Sequence, residues 1–372
     1  MFSAFRETFR AVFADQIALM LLFGSVILYS FFYPSAYSGE VADNIPIVIV
    51  NNDKSAMSRA VLQRLSGLPQ VDIIAEEQTI ADAESLIKER AAFAIVLIPD
   101  DFERDILSGR QAKIALYGNG AYLLRSSIVL TGMGGALSDF GAEAVLTQTR
   151  FMGQPARPPI ALSVRPLFNT SEGYGSGIVP GVVGLILQQT LLVGLILLYA
   201  SRREKLGPVQ IPFATFAGIS MAFVLIGLVN IAYFSGFVFW FQDYPRGGNF
   251  AGLLIAAPIF VIAIVAFALF LGSFFKTRER VLQLWIITSL PLYFLSGLSW
   301  PAEATPPLLL WVAKLVPTTA GINLIVAINQ MDTSLSQVTS EIINLVLLSL
   351  IYGSIAWLRC RPDSKYKHSR LS

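Results

Sequence analysis

The 372-residue chain is 54% hydrophobic and 14% charged, with 26 Phe and a mean hydropathy of +0.62; lipid is therefore the solvent for much of it. Its length has room for a membrane bundle and one ordinary soluble domain, and none for an additional nucleotide-binding domain. The net charge of +2 decides nothing, but the single Cys360 and the single His368 both lie in the last 13 residues. That excludes an internal disulfide and argues against His/Cys metal sites and Cys/His or Ser/His/Asp centres, so enzymatic chemistry is not expected of this chain.

In chain order, Phe2, Phe5, Phe9, Val12 and Phe13 fall at helical spacing with Arg6, Glu7 and Arg10 off the stripe. The pattern predicts a helix over residues 1–16 lying in the cytoplasmic membrane interface, a reading preferred over a simple continuation of the first span. The first apolar span, Ile17 to Tyr33, has no small-residue cleavage site after it and closes on Tyr29, Phe31, Phe32 and Tyr33. It reads as a retained helix with an aromatic end at the headgroup level.

A polar stretch of 143 residues, 34–176, follows. Within it, Ile45 to Val50, Val71 to Ala75, Ala92 to Ile98 and Ile114 to Tyr117 read as strands. Ser55 to Leu65, Ile80 to Arg90, Phe102 to Leu107 and Ala121 to Thr149 read as helices, the last long enough for a stalk. Pro99, Gly109 and the Gly118-Asn119-Gly120 turn punctuate them, and the sum is an α/β domain. The acidic cluster Asp100, Asp101, Glu103 and Asp105 opens a predicted helix, so dipole complementation is favoured over a metal site. Asn169-Thr170-Ser171 matches a glycosylation acceptor but stands just before a span and carries little weight.

Five further spans are predicted: Ile178 to Ala200, Ala214 to Phe241, Phe250 to Phe274, Val281 to Trp300 and Ile342 to Trp357. All six are long enough to cross with tilt or interfacial ends. Between the last two, Pro301, Pro306, Pro307 and Pro317 break the chain around an apolar stretch, Leu308 to Val316, too short to span; re-entrant or interfacial helices are expected near 301–331. The fold class is thus a polytopic α-helical membrane protein of six transmembrane helices, with an α/β extracytoplasmic domain inserted between helices 1 and 2. The other parts are a five-helix domain over 177–358 and a basic tail over 359–372.

Orientation follows from basic residues beside the spans. Thirteen Lys and Arg flank one side: Arg6 and Arg10, Arg202, Arg203 and Lys205, Lys276, Arg278 and Arg280, and five from Arg359 onward. The two short loops opposite carry only Arg246 and Lys314. Both termini are therefore expected in the cytoplasm and the insert outside it, in the periplasm of a Gram-negative cell.

Spans two to six hold no charge between their ends, which disfavours an ion-coupled carrier. Gln188, Gln189 and Asn230 are the most polar groups there and the candidates for a translocation path, although interhelical hydrogen bonding is the preferred role of the two glutamines. Gly177 and Gly181 give a small-xxx-small pair suited to close packing. Lys54-Ser55 and Lys276-Thr277 follow Asp53 and Phe275 rather than Gly, so no Walker A loop is present. If ATP drives the protein, another polypeptide hydrolyses it and pushes on the loops 201–213 and 276–280. The coupling surface is then Arg202, Arg203, Glu204, Lys205, Lys276, Arg278 and Arg280.

Several segments in order resemble the permease subunits of ABC-2 type exporters, in particular the bacterial drug-efflux-like branch with a large periplasmic insert. They are Asn51-Asn52-Asp53-Lys54-Ser55 with Ser58-Arg59-Ala60, and Ala94 to Phe102 with its Ile98-Pro99-Asp100-Asp101-Phe102 end. Val164 to Asn169, Ile178 to Gly181, and Leu295-Ser296-Gly297 with Pro301, Pro306, Pro307 and Leu315-Val316-Pro317 complete the set. One departure stands out: Ser201-Arg202-Arg203-Glu204-Lys205-Leu206-Gly207-Pro208 matches the family's coupling segment at Arg203 and Glu204 but lacks its Gly-Thr part. The resemblance implies an inner-membrane export subunit that dimerises and moves an amphiphilic or hydrophobic substrate. A cytoplasmic ABC ATPase, a second permease subunit, a periplasmic adaptor, an outer-membrane channel and membrane lipids are the implied partners. No cofactor or metal is expected on this chain, and ATP enters through the partner. A membrane receptor or an assembly scaffold with the same layout is the alternative.

Overall fold

The computed structural model describes residues 1–36, 43–89, 91–108, 110, 112–119, 123–151, 173–206, 210–246, 249–275, 277–297, 300 and 302–362, with backbone alone at 123–124, 144–151, 205–206, 279, 285 and 303. The segment 164–168, the Asn169 tripeptide, Gly207, Pro208, Lys276, Pro301 and the tail beyond 362 lie outside them. The chain divides into a helical unit, Met1–Ser38 with Pro166–Ser372, and an inserted unit, Gly39–Arg165.

Helix α1, Phe2–Ala14, ends where Asp15 turns extended (φ −99°, ψ 104°). The Asp15 carboxylate then accepts from the Ile17 and Ala18 amides at 3.1 and 3.2 Å, capping the next helix, α2, Gln16–Ala36. The buried side of α1 is Ala4, Thr8 and Val12. These small residues let α1 lie close to Gly218, where an added Cβ would stand 2.5 Å from the Met1 carbonyl oxygen. Phe2 and Phe13 stay exposed.

The inserted unit is a four-stranded sheet in the order β2-β1-β3-β4, built from β1, Ile45–Asn51; β2, Val71–Glu77; β3, Ala94–Ile98; and β4, Ala115–Gly118. β1 pairs in parallel with β2 and β3, while β4 closes the edge antiparallel to β3. Helices α3 (Ala56–Ser66), α4 (Ile80–Lys88), α5 (Phe102–Leu107) and α6 (Leu123–Phe151) surround it. The period-two geometry of β1 sends Ile45, Ile47 and Ile49 into a core with Val61, Leu65, Phe102 and Met133. It sends Val48 and Val50 into a second core with Ala83 and Ile95. A strand covered on both faces needs this unbroken apolar run. From Ser126 to Glu143, α6 is tied to the unit: Ser126 Oγ donates to the Asn119 carbonyl at 3.0 Å, and Arg64 pairs with Glu143 at 2.6 Å.

The segments that carry the family resemblance here are turn-builders. Asn51 Oδ1 accepts from the Lys54 amide at 3.3 Å, Lys54 adopts φ +50°, and Ser55 Oγ accepts from the Ser58 amide at 3.0 Å to cap α3. Glu103, on the adjacent helix α5, adds a second cap, its Oε1 accepting from the Met57 amide at 3.2 Å.

The helical unit continues with α7 (Tyr174–Leu206), α8 (Phe213–Phe241), α9 (Phe250–Gly272), α10 (Arg278–Leu295), α11 (Pro307–Lys314), α12 (Pro317–Gln330) and α13 (Thr339–Cys360). Five of these helices, α2, α7, α8, α9 and α13, are long and apolar enough to cross a membrane. The fifth span read from sequence, Val281 to Trp300, is the shorter α10: it stops at Leu295, and Gly297 at φ +83° turns the chain out of helix. Counting the pair α11 and α12 as one span gives a sixth, yet that pair is bent by 81°. Where α12 crosses α9, Gly321 meets the Phe260 ring so closely that a Cβ would fall 1.9 Å from Phe260 Cε2. At the far end of α13, Cys360 is buried, its thiol hydrogen-bonded with the Tyr199 hydroxyl at 2.9 Å.

Candidate functional site

Two regions of the helical unit hold polar groups that apolar packing alone does not require. The first is a cavity of about 500 Å³ walled by α2, α7 and α10, within the usual range for small-molecule sites. Tyr29, Tyr33, Ile186, Gln189, Leu290 and Tyr293 define it. Its serine and threonine hydroxyls on α2 and α7 are spent on their own helices, Ser25 Oγ donating to the Leu21 carbonyl at 2.5 Å and Thr190 Oγ1 to the Leu187 carbonyl at 3.2 Å. Gln189 differs. Its side chain is buried and neither its oxygen nor its nitrogen has a hydrogen-bond partner. A buried amide left in this state costs on the order of 1–3 kcal/mol for each unsatisfied group, a deficit that a ligand or water in the cavity removes.

The neighbouring amides have other roles. Gln188 Nε2 donates to Thr318 Oγ1 at 2.5 Å, joining α7 to α12. Asn230 Nδ2 donates to the Leu22 carbonyl at 3.0 Å, inside a π-helical turn of α2 over Met20–Gly24. That turn presses Leu22 against α7 at Gly194, where a Cβ would stand 2.6 Å from Leu22 Cδ2. Of the three amides singled out in the sequence, then, Gln189 alone lines the cavity.

The second region is the end of the bundle that carries the basic residues. Arg278, at the start of α10, pairs with the Asp15 carboxylate and hydrogen-bonds Ser201 Oγ, while its amide donates to Glu204 Oε1 at 3.1 Å. Arg203 reaches the Ser273 carbonyl at 2.8 Å and the Phe275 carbonyl at 3.3 Å. These carbonyls lie at the C-terminal end of α9, where a cation complements the helix dipole. Arg359 donates to Ser273 Oγ at 3.0 Å and stacks 4.0 Å above the Phe274 ring. Arg202 stands 3.9 Å from Glu7. Arg280 is exposed; Lys205 is described by its backbone alone and Lys276 lies outside the described residues.

The predicted coupling residues Arg202, Arg203, Glu204 and Arg278 are thus brought together, but largely through bonds within the chain. Asp15, Ser273 and Arg359 are members of this network that charge counting missed. Asp15 had a signal, being the one carboxylate between two apolar stretches. Ser273 had none, because its part comes from its carbonyl and hydroxyl at a helix end.

A bundle of long apolar helices with an inserted unit after the first of them, and with most of its basic residues gathered at one end, matches a known family model, that of the ABC-2 family transporter protein, over residues 16–358. The chain belongs to the ABC-2 transporter family. It is a multi-pass membrane permease, and permeases of this family work with an ATPase partner. The inner membrane transport permease YhhJ of Escherichia coli is 26% identical over 375 residues, covering 95% of this chain and 94% of its own. A protein of the same name in Shigella flexneri gives the same figures. The linearmycin resistance permease protein LnrN of Bacillus subtilis is 18% identical over 331 residues, covering 80% of this chain and 83% of its own.

Proposed function

We propose that this permease is the membrane subunit of an ATP-driven exporter of the inner membrane, and that it takes an amphiphilic or hydrophobic substrate at the Gln189 cavity. The observation that carries the reading is the unpartnered Gln189 amide within a mostly apolar, aromatic-sided cavity. Such a site holds an apolar body against Tyr29 and Tyr293 and one polar group at the amide. It offers no charge, in keeping with a carrier driven from outside its own membrane helices.

In this reading six helices span the bilayer: α2, α7, α8, α9, α10 and α13. The 18 residues of α10 rise about 27 Å, close to the roughly 30 Å hydrocarbon core, and the bent pair α11 and α12 is re-entrant. The basic end and both termini face the cytoplasm, α1 lies in the interface, and the inserted unit is periplasmic. The ATPase docks on the basic end, where Arg280 is free to meet it, and Arg203, Glu204 and Arg278 carry its movement to α7, α9 and α10. The chain holds no cofactor of its own and pairs with a second permease subunit. A periplasmic adaptor and an outer-membrane channel complete the route.

The test is purification from native membranes in mild detergent with identification of co-purifying chains, followed by ATP-dependent uptake of hydrophobic dyes into inverted vesicles. An ABC ATPase is expected in the complex. Gln189→Leu is expected to lower uptake at least several-fold while the ATPase still co-purifies. Absence of any ATPase, with no effect of ATP on uptake, overturns the exporter reading; full uptake by Gln189→Leu removes the cavity from it.

A further inference from the structure

A second cavity, of about 800 Å³, lies between α8, α9 and the end of α12, and shares no lining residue with the Gln189 cavity. Two irregularities open it. Residues Tyr233–Val238 of α8 form a π-helical turn, which puts Ser235 and Gly236 on the cavity wall. On α9, Pro258 has no N–H for the Leu254 carbonyl, and both residues line the same space. A Cβ on Gly236 would meet no heavy atom within 4 Å, so the wall there faces open volume.

Two polar side chains at this cavity, Asn329 and Arg246, offer donors. Asn329 is 7% exposed and its amide nitrogen has no partner. Arg246 is exposed, and among the described residues no carboxylate pairs with it. Of the other two polar side chains on the wall, Ser235 is buried in the π-helical turn, and Asn249 is already bound: its oxygen accepts from the Gly252 amide at 2.7 Å and its nitrogen donates to the Thr333 carbonyl at 2.6 Å. An unused amide donor and an unpaired guanidinium call for an anionic acceptor, and an arginine fork is well suited to phosphate. The rest of the wall is Leu228, Leu253, Ala257 and their neighbours, and the mouth is edged by Phe250 and Leu254, 68% and 61% exposed. On helices that cross a membrane, that mouth opens to lipid rather than to water.

We infer that this cavity is a binding site for an anionic phospholipid, its phosphate held by Arg246 and Asn329 and one acyl chain lying along α8 and α9 toward Leu228. Eight residues separate Gly236 from Leu228, a depth of about 12 Å at the helical rise.

The experiment is native mass spectrometry of the full chain released from nanodiscs of phosphatidylethanolamine containing one-tenth phosphatidylglycerol. Wild type is expected to retain phosphatidylglycerol at least fivefold over its share of the bilayer. Arg246→Gln and Gly236→Leu, the first at an exposed side chain and the second into open volume, are each expected to bring retention back to that share. Equal enrichment in wild type and both variants overturns the site, as does retention of phosphatidylethanolamine alone. A change in the mass of the assembly without a change in lipid retention overturns it in favour of a second copy covering the cavity.

Discussion

The inserted unit and the helical unit use the same residue types for different physical reasons. In the inserted unit, Ile47, Ile49 and Val61 are fully buried, and each contributes roughly 1.5–3 kcal/mol by leaving water. In the membrane bundle, Phe260 and Leu22 are as deeply buried, but lipid is as apolar as they are, so contact distance between helices takes over as the source of stability. Volume is the currency of the sheet, and closeness that of the bundle. The glycines register the change. Gly184, Gly194, Gly227 and Gly321 each stand where a Cβ would come within 2.8 Å of a neighbouring helix's side chain.

The contrast breaks most visibly in the sheet. Ile47→Ala empties space on a strand covered on both sides and is expected to destabilise the inserted unit by about 2–5 kcal/mol, measured by hydrogen exchange of the β1 amides in the whole protein. Retained protection would show that the sheet is held by something other than this core. In the bundle the comparable change adds an atom. Gly321→Ala, with its Cβ 1.9 Å from the buried Phe260 ring, is expected to cost about 3 kcal/mol, the upper part of the range for overpacking. Gly353→Ala, whose Cβ meets Ala266 at 3.9 Å, is its control and is expected to be neutral. Equal thermal stability of the two variants in detergent would refute the close-approach account. The smallest effect separates the paired amides. Gln188→Leu removes the bond to Thr318 and is expected to cost about 0.5–1.5 kcal/mol, whereas Gln189→Leu loses no bond and leaves stability unchanged or raised.

Much of this architecture was legible from local pattern. The four strands stand where short apolar runs are bounded by Pro, Gly and Asn, and α5 begins and ends on the residues read from sequence. The long helices follow from hydropathy because a bilayer demands about 20 apolar residues in a row. What the pattern did not carry is where helix geometry departs from regular. The π turns at Met20–Gly24 and Tyr233–Val238 replace one hydrogen-bond step without any change in composition, and one of them borders the second cavity. The early end of α10 depends on the conformation of Gly297, and glycine is frequent enough inside membrane helices that its presence alone does not mark the stop. Gln188 and Gln189 are adjacent and chemically identical. Only the rotation of α7 sends one to Thr318 and the other into the cavity.

At the basic end, residue type announced charge but not its use. A row of arginines beside spans reads as a free docking face, while Arg203, Arg278 and Arg359 are bonded to helix-end carbonyls, Asp15 and serine hydroxyls of the same chain. Their partners are backbone groups and a carboxylate more than 250 residues away from Arg278 in sequence, beyond the reach of any spacing rule.

The buried thiol of Cys360 has a practical consequence. As the only cysteine in the chain, and 4% exposed behind Tyr199, it should stay dark to impermeant maleimides in the folded protein. Native labelling therefore cannot report the side on which the C-terminus lies. The same silence makes the wild-type chain its own cysteine-light background: a single cysteine introduced on exposed Glu84 or Ser334 becomes the one reactive group, and sidedness can be read from intact cells without first altering the contact that closes α13.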